Sequence, residues 1–557
     1  MNARPPTFGF RTGRIEAPEA DTLPLADRVA AKILRRQAGA APARIFVTCG
    51  AQSLTYAEAD RRADKAANVL QRVGIAKGTR VAICLRNCLQ YFDLWFGLSR
   101  LGAIQIPINT EYKSPQIAHV LKRAPVAAVV VDPEYLDQVL KALEGTAVPP
   151  ILFVVGASSA IRPVAGRAAL RIADYDLEFE RASDEPPAGA DEVSGADAGV
   201  VMNTSGTTGP SKGVVLSHAQ QYILGRMIAA DMDLRDSDVY YNFFPLFHNT
   251  SQAMITIPVL LKGARMVLTE RFSASQFWPD VRKHDCTAFY YIGEILRILV
   301  KSSVVDDATG TQLRVGWGIG ASAADMSEFK RRYGTQMRTG YGSTEANVPV
   351  YLPHDSTQLT SCGRVAPGFS LRIANPNGES VKSGEVGEIL VRADEPCALM
   401  QGYDGDASAT LAAWQDLWLH TGDAGRMDEQ GNLYFMGRLK DSIRVRGENV
   451  SAAEVEQVIG EIQGVLEVAA IAVPCELGGD DLKIVVVLAE GAQVAHQDFI
   501  DYAQNLLPRF AVPRYVEIVA SLPKTPTNKV QKHVLRASPF TTSTWDRQAQ
   551  PLRRGNV

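Results

Sequence analysis

Val200-Val-Met-Asn-Thr204-Ser205-Gly206-Thr207-Thr208-Gly209-Pro210-Ser211-Lys212-Gly213-Val-Val215 is a strand-like apolar run that feeds a loop dense in glycine, serine and threonine, with one lysine. Glycines free backbone N–H groups to point at a ligand, hydroxyls add donors, and an ammonium adds charge; a polyphosphate requires this set. Thr204, Ser205, Gly206, Thr207, Thr208, Gly209 and Lys212 are therefore candidate phosphate contacts. The loop is not a P-loop of the form G-x-x-x-x-G-K-[ST]. Counting from Gly206, Ser211 stands where the second glycine belongs, and Gly213 follows Lys212 instead of Ser or Thr.

On the N-terminal side, helix and strand signals alternate. Ala57 to Val73 has helical spacing, with Ala63, Ala66, Ala67 and Leu70 on one side. Val81 to Leu85 is a short apolar run, Leu89 to Leu101 is helix-like and stops at Gly102, and Ala124 to Val131 is continuously apolar. Unbroken apolar strands between helices indicate a layered α/β structure with parallel strands. Ser183 to Gly199 is an acidic, Pro/Gly/Ala-rich loop. From about Leu371 the pattern changes to short strands, such as Glu388 to Arg392 and Leu433 to Met436, separated by Asn-Gly and Gly-Glu turns. Beyond Gly437 a small α+β pattern follows: helix at Ala452–Ile459, strands at Val468–Val473 and Ile484–Leu488, helix at Gln497–Leu507. The fold expected is α/β with an antiparallel β-barrel section: a large N-terminal domain of layered α/β subdomains (1–437) plus a small mobile α+β C-terminal domain (438–540). A polar tail from Thr541 is expected to be mobile.

The 557 residues exceed what one core supports and suggest roughly two to four domain-sized units. A formal charge of −3 removes any chain-wide reason to expect nucleic acid or an anionic membrane as partner. Seven scattered cysteines, with only Cys84 and Cys88 close together, fit reduced thiols in the cytoplasm better than a zinc site. The N-terminus lacks the apolar core of a signal peptide. Val239 to Leu261 contains no charged residue, but Asn242, Pro245, His248, Asn249 and Pro258 make it a poor membrane helix and a good buried segment beside an active site. Asp231 to Asp238, rich in charge, reads as a solvated loop.

Four further segments stand in order along the chain: Tyr341-Gly342-Ser343-Thr344-Glu345, Trp418-Leu-His-Thr-Gly-Asp423, Gly437-Arg438-Leu439-Lys440-Asp441 running on to Arg446-Gly447-Glu448-Asn449, and Pro523-Lys-Thr-Pro-Thr-Asn528-Lys529. Together with the Thr204–Gly213 loop they resemble the signatures of the adenylate-forming superfamily, which includes acyl-CoA synthetases, peptide-synthetase adenylation domains and luciferases. The resemblance covers about residues 30 to 538.

It implies ATP-dependent activation of a carboxylic acid to an acyl-adenylate, then transfer to CoA, with ATP, Mg2+ and CoA as partners of the chemistry. Attack of a carboxylate on ATP brings two anions together and builds charge at the α-phosphate, so preorganised cations and donors carry the catalysis. Lys529 is the expected bridge between carboxylate and α-phosphate, with Lys524 and Lys532 as rivals. Glu345 is the expected Mg2+ contact, with Thr204 as a weaker one, because a hard dication prefers oxygen. Thr344 is expected on the α-phosphate, and Asp423 with Arg438 on the ribose hydroxyls. The adenine would lie between a small-residue wall (Gly320, Ala321, Ser322) and Tyr341, beside Gly342 and Ser343. His248 is expected to gate the carboxylate. Asn249, Gln252, Ile292, Gly318 and Gly342 would complete the acyl pocket. Lys440 would be the hinge on which the small domain turns between the two half-reactions, and Arg446, Gly447 and Glu448 would line the CoA tunnel. His420 reads as structural.

Two departures stand out. Pro210-Ser211 reverses the usual order in the loop, and Asn528 replaces the glycine before the catalytic lysine; asparagine tolerates a left-handed backbone. The segment near Phe243–Asn249 lacks the aspartate that peptide-synthetase domains use for an α-ammonium, which argues against an amino acid. The uncharged Tyr240–Leu261 stretch, with Tyr290 and Trp317, points to an apolar, fatty or cyclic/aromatic acid. Gly447 to Ser451 has some likeness to the crotonobetaine/carnitine branch, but no acidic partner for a cation is evident. An enzyme that loads a separate carrier protein and a catalytically silent nucleotide-binding regulator are the alternatives. A homodimer is left open.

Overall fold

The computed structural model describes residues 22–549 except 124, 145–150, 157–169, 205–211, 302–309, 355, 357, 440–442, 446–447, 451, 476–479 and 526–527. Ser205–Ser211, Lys440, Arg446 and Gly447 therefore lie outside the described residues, and Glu448 is described only as backbone in the short strand Glu448–Val450.

Two mixed sheets make up most of the large unit. One has nine strands, in the order Arg364–Val365, Asn347–Tyr351, Gln336–Ser343, Val315–Ile319, Ala288–Ile292, Val239–Asn242, Arg265–Leu268, Ile45–Cys49, Gln52–Thr55. Its inner pairs are parallel and its outer pairs antiparallel. The other has eight strands, with Ile104–Pro107, Arg80–Cys84 and Ala128–Val131 side by side at its parallel centre. The hairpin Ala198–Thr204/Lys212–Ser217 lies toward one edge. Every residue of Ala128–Val131 is buried, as a strand covered on both faces must be.

Helices Tyr56–Arg72 and Leu89–Leu101 pack at backbone range because both are cut small at the crossing. A Cβ on Gly97 would lie 2.9 Å from Ala66 Cβ and from the Ala67 nitrogen. A capping box at Thr55/Glu58 starts the first helix, and Gly102 (φ 64°) ends the second in the left-handed turn that side chains disfavour.

Residues Phe369–Arg438 add an antiparallel five-stranded sheet built on Gly387–Ala393 and Trp418–Met427. The C-terminal unit has its own core, from Ile443 to Val516, under a six-stranded sheet.

Two expectations are corrected. The polar stretch from Thr541 is ordered through Ala549. Trp545–Asp546 pairs with the strand Tyr515–Ile518, Trp545 stacks on His496, and Thr544 accepts from the buried Lys483 ammonium at 3.1 Å. Hydroxyls in this stretch serve as partners for the buried Lys483–Glu517 ion pair, which a reading of polar content alone misses. Likewise, Asp231–Asp238 is solvated only in its middle, where Asp233, Arg235 and Asp236 are exposed, while its two end carboxylates are buried. Asp231 is buried and receives Trp317 Nε1 at 2.8 Å and the Arg338 guanidinium, and Asp238 is buried against Arg314 and Thr287.

Candidate active site

The phosphate-loop hairpin is held rigidly at its stem. Thr204 faces Lys212 across the ladder and its hydroxyl donates to the Lys212 carbonyl at 3.3 Å. Beneath it, Arg123 donates to Asn203 Oδ1 at 2.7 Å and contacts Asp404 at 3.4 Å, while Arg80 meets Asp404 at 2.7 Å. A Cβ on Gly213 would fall 2.5 Å from the Arg123 guanidinium, so glycine is required for this approach.

Lys212 lies over the Tyr403 ring at 4.3 Å, and the Tyr403 hydroxyl donates to Glu345 Oε1 at 3.2 Å. Tyr403 thus orients both an expected phosphate cation and an expected metal carboxylate. The Ser343–Asn347 turn is fixed from behind. Gln220 donates to the carbonyls of Thr344 (3.1 Å) and Glu345 (3.3 Å), and Asn347, at φ 58°, donates to the Gln220 and Ala398 carbonyls. The donor set fits a magnesium ion that takes most of its oxygens from phosphate and water. Among the described residues Glu345 Oε2 accepts no hydrogen bond, and one carboxylate is what such a site ordinarily supplies.

At the sugar end, Asp423 and Arg438 face each other across paired strands. Tyr341 donates to Asp423 Oδ2 at 2.7 Å. Arg438 Nε stands 2.9 Å from Oδ1, but without the alignment of a hydrogen bond, so this buried oxygen remains an acceptor without an aligned donor. Burial raises the Asp423 carboxyl pKa and Arg438 pulls it back. Tyr341 stacks on Phe435 at 5.8 Å. Ser322 is committed elsewhere: it caps the helix Ala323–Tyr333 and donates to Asp325.

The acyl end is a cavity whose apolar wall comes from Leu224, Phe244, Met254, Ile292, Ile319 and Val348, with His248, Asn249, Gly342, Thr344 and Lys529 also on its surface. The segment Thr250–Thr256 forms a π-helical turn; such turns re-aim side chains and occur often at functional sites. His248 Nδ1 accepts from the Thr250 amide at 3.2 Å and bonds the Thr250 hydroxyl at 2.9 Å, which places the ring proton on Nε2. Burial and the nearby Lys529 charge lower its pKa to about 3, so the ring is a neutral donor at pH 7. Two residues expected in the acyl pocket are not on the surface of this cavity. Gln252 is fully buried, donating to the Leu246 carbonyl (2.8 Å) and Gln105 and accepting from Gln221, and it does not reach the cavity. Gly318 is pressed against Tyr291, with Ile319 taking the cavity position.

Lys529 is the one lysine that reaches this cavity. Asn528, at φ 59°, makes the tight turn before it, with the Thr525 amide donating to the Lys529 carbonyl at 2.8 Å. Its rivals are occupied: Lys524 pairs with Glu467 at 2.7 Å and Lys532 with Glu456 at 2.6 Å. Protein crowds the Lys529 ammonium, yet the side chain keeps contact with solvent through the cleft. Burial and the Arg438 charge lower its pKa, opposed by Glu294, Asp423 and Glu345. Glu294, Tyr403 and Gln220 were not anticipated; only their packing around anticipated residues reveals them.

His218 is a second buried histidine, with neither ring nitrogen partnered among the described residues and its pKa lowered by burial to about 4. Between that value and the ordinary 6.5, the unfolded chain binds a proton that the native state refuses, so stability falls as pH falls through this window. Urea midpoints at pH 7 and pH 5 are expected to show the loss, and His218→Gln is expected to flatten it by about 1.4 kcal/mol per pH unit. An unchanged slope in the variant would remove His218 from the account.

A hairpin stem carrying Thr204 and Lys212, a buried Asp423–Tyr341 pair, and a lysine near the C-terminus at a largely apolar cavity are the parts that a nucleotide-dependent acid-activating enzyme would need. The chain belongs to the AMP-binding enzyme family: residues 34–404 match that family, and residues 454–529 match the AMP-binding enzyme C-terminal domain. It is 30% identical over 501 residues to the crotonobetaine/carnitine–CoA ligase of Salmonella paratyphi A, covering 89% of this chain and 95% of that one. The fold matches the anthranilate CoA ligase AuaEII in complex with anthranoyl-AMP (TM-score 0.83, 23% identity, 93% and 98% of the two chains). It also matches a Mycobacterium tuberculosis fatty acyl CoA synthetase (TM-score 0.69, 26% identity, 92% and 99%). Among the described residues, no helix is long and apolar enough to cross a membrane.

Proposed function

We infer that the protein converts an organic acid and ATP to an acyl-adenylate and pyrophosphate, then passes the acyl group to CoA with release of AMP. The observation that carries this is the convergence of Lys529, from the C-terminal unit, with His248 and Thr344 of the large unit on one cavity. The acid arrives ionised, and one of its carboxylate oxygens attacks the α-phosphorus while the bond to pyrophosphate breaks. No proton moves in that step, so a neutral His248 suffices: its Nε2–H donates to the carboxylate and leaves the other oxygen free. Lys529 neutralises the two approaching anions, Thr344 donates to the α-phosphate, and Asp423 holds the ribose hydroxyls. Glu345 would hold a magnesium ion, which would supply charge neutralisation for the leaving pyrophosphate.

The acid is proposed to be uncharged beyond its carboxylate. The cavity lining contains no Asp or Glu among the described residues, so no carboxylate there would neutralise a quaternary ammonium of the kind carnitine carries. Seven free thiols suit a reducing, cytoplasmic setting. The deciding experiment is carboxylate-dependent ATP–pyrophosphate exchange across fatty, aryl and polycyclic acids, followed by CoA-thioester formation. Exchange without thioester would move the acceptor to a carrier protein; no exchange with any acid would defeat the reading.

Thioester formation needs the lysine withdrawn and a thiol admitted, and the likeness of Gly437–Asp441 to the family's hinge motif makes Lys440 the proposed hinge. Lys440→Pro is expected to slow thioester output at least tenfold more than pyrophosphate exchange; equal losses would move the hinge elsewhere.

A further inference from the structure

We propose that the activated acid carries a hydroxyl group on its apolar body, recognised by the buried phenol of Tyr290 at the cavity wall. This rests on the acid-activating reading and extends it.

Tyr290 lines the cavity yet is only 1% exposed, and its hydroxyl has no hydrogen-bond partner among the described residues. The Thr250 hydroxyl, which donates to His248 Nδ1 at 2.9 Å, is the nearest polar neighbour of the phenol and acts on it as a side-chain hydrogen-bonding group, but the pair falls outside hydrogen-bond geometry. The ring cannot turn away to find a partner: Trp317 stacks on it at 5.8 Å and Phe244 meets it edge-on at 5.2 Å. A phenylalanine would make both ring contacts. A second group on the same wall is in the same condition. Asn347 spends its amide protons on two carbonyls, and its Oδ1, also buried, has no donor. The wall therefore offers a donor and an acceptor within an otherwise apolar surface. A hydroxyl, which both accepts and donates, is the uncharged group whose chemistry answers either. A plain hydrocarbon tail would leave both unpaired, which a buried polar group resists.

The test is ATP–pyrophosphate exchange by the full-length enzyme with matched acids: benzoate and 4-hydroxybenzoate, phenylacetate and 4-hydroxyphenylacetate, dodecanoate and 12-hydroxydodecanoate. In the pairs it activates, the wild type is expected to favour the hydroxylated member. Tyr290→Phe is expected to lower kcat/KM for that member about 10- to 100-fold, leave the plain member within about twofold, and leave the melting temperature unchanged or higher. Preference for the plain acid in every activated pair, equal losses for both members, or a clear drop in melting temperature would overturn the inference while leaving acid activation standing. Silence with all six acids would fell the broader reading and this one with it.

Discussion

Lys529→Ala is expected to reduce acyl-adenylate formation by about 10²- to 10³-fold, the range measured when one preorganised donor to a developing oxyanion is lost. Pre-formed acyl-adenylate plus CoA should still give thioester within about tenfold of the wild-type rate, because that half-reaction needs the ammonium out of the way. The comparison variants are built into the chain. Lys524→Ala and Lys532→Ala lie within five residues on either side, but their ammonium groups are held by Glu467 and Glu456, so adenylation should fall only a few-fold. Pyrophosphate exchange for the first step and thioester release for the second read the difference. Wild-type exchange by the Lys529 variant would end the mechanism proposed here, and equal loss in all three variants would show that the loop as a whole, not one charge, is what matters.

The second large effect concerns stability. Asp231→Ala is expected to destabilise the large unit by about 3–5 kcal/mol, since it leaves the Arg338 guanidinium buried without its carboxylate. The side chains of both partners are at most 3% exposed, so water cannot take over. Trp317 would lose its acceptor as well. Because Trp317 backs Tyr290 at the cavity wall, the KM for the acid should rise in whatever fraction still folds. The double variant Asp231→Leu/Arg338→Met should recover a good part of the loss, because it removes the stranded charge along with its partner. Urea unfolding of the three proteins reads this directly. A single variant within about 1 kcal/mol of wild type would show that solvent reaches the pair.

These two cases mark what primary structure could and could not tell. Leu89–Leu101 and its Gly102 stop were readable because a helix-like run rich in apolar residues and a glycine able to turn left-handed at its end are local facts. The same holds for Asn528, whose tolerance of a left-handed backbone is intrinsic and whose φ is 59°. The order of the five signature segments brought the sugar, phosphate and lysine ends of the site into view. Asp231 and Asp238 were misread because their partners, Arg338 and Arg314, lie 107 and 76 residues away. A carboxylate's neighbours on the chain say nothing of such a partner. Gln252 was misplaced for a similar reason: a π-helical turn shifts which side chains face inward, and helical spacing does not foresee it. Tyr403 and Glu294 carry no local mark; each matters through what it touches.

The ordered stretch beyond Thr541 has a bearing on synthesis. Residues 541–546 complete the sheet and solvate the buried ion pair of the unit that presents Lys529, yet the ribosome makes them after it. The strand Tyr515–Ile518, which precedes Lys529 in the chain, thus owes its edge pairing and the partners of its buried Glu517 to residues translated after that lysine.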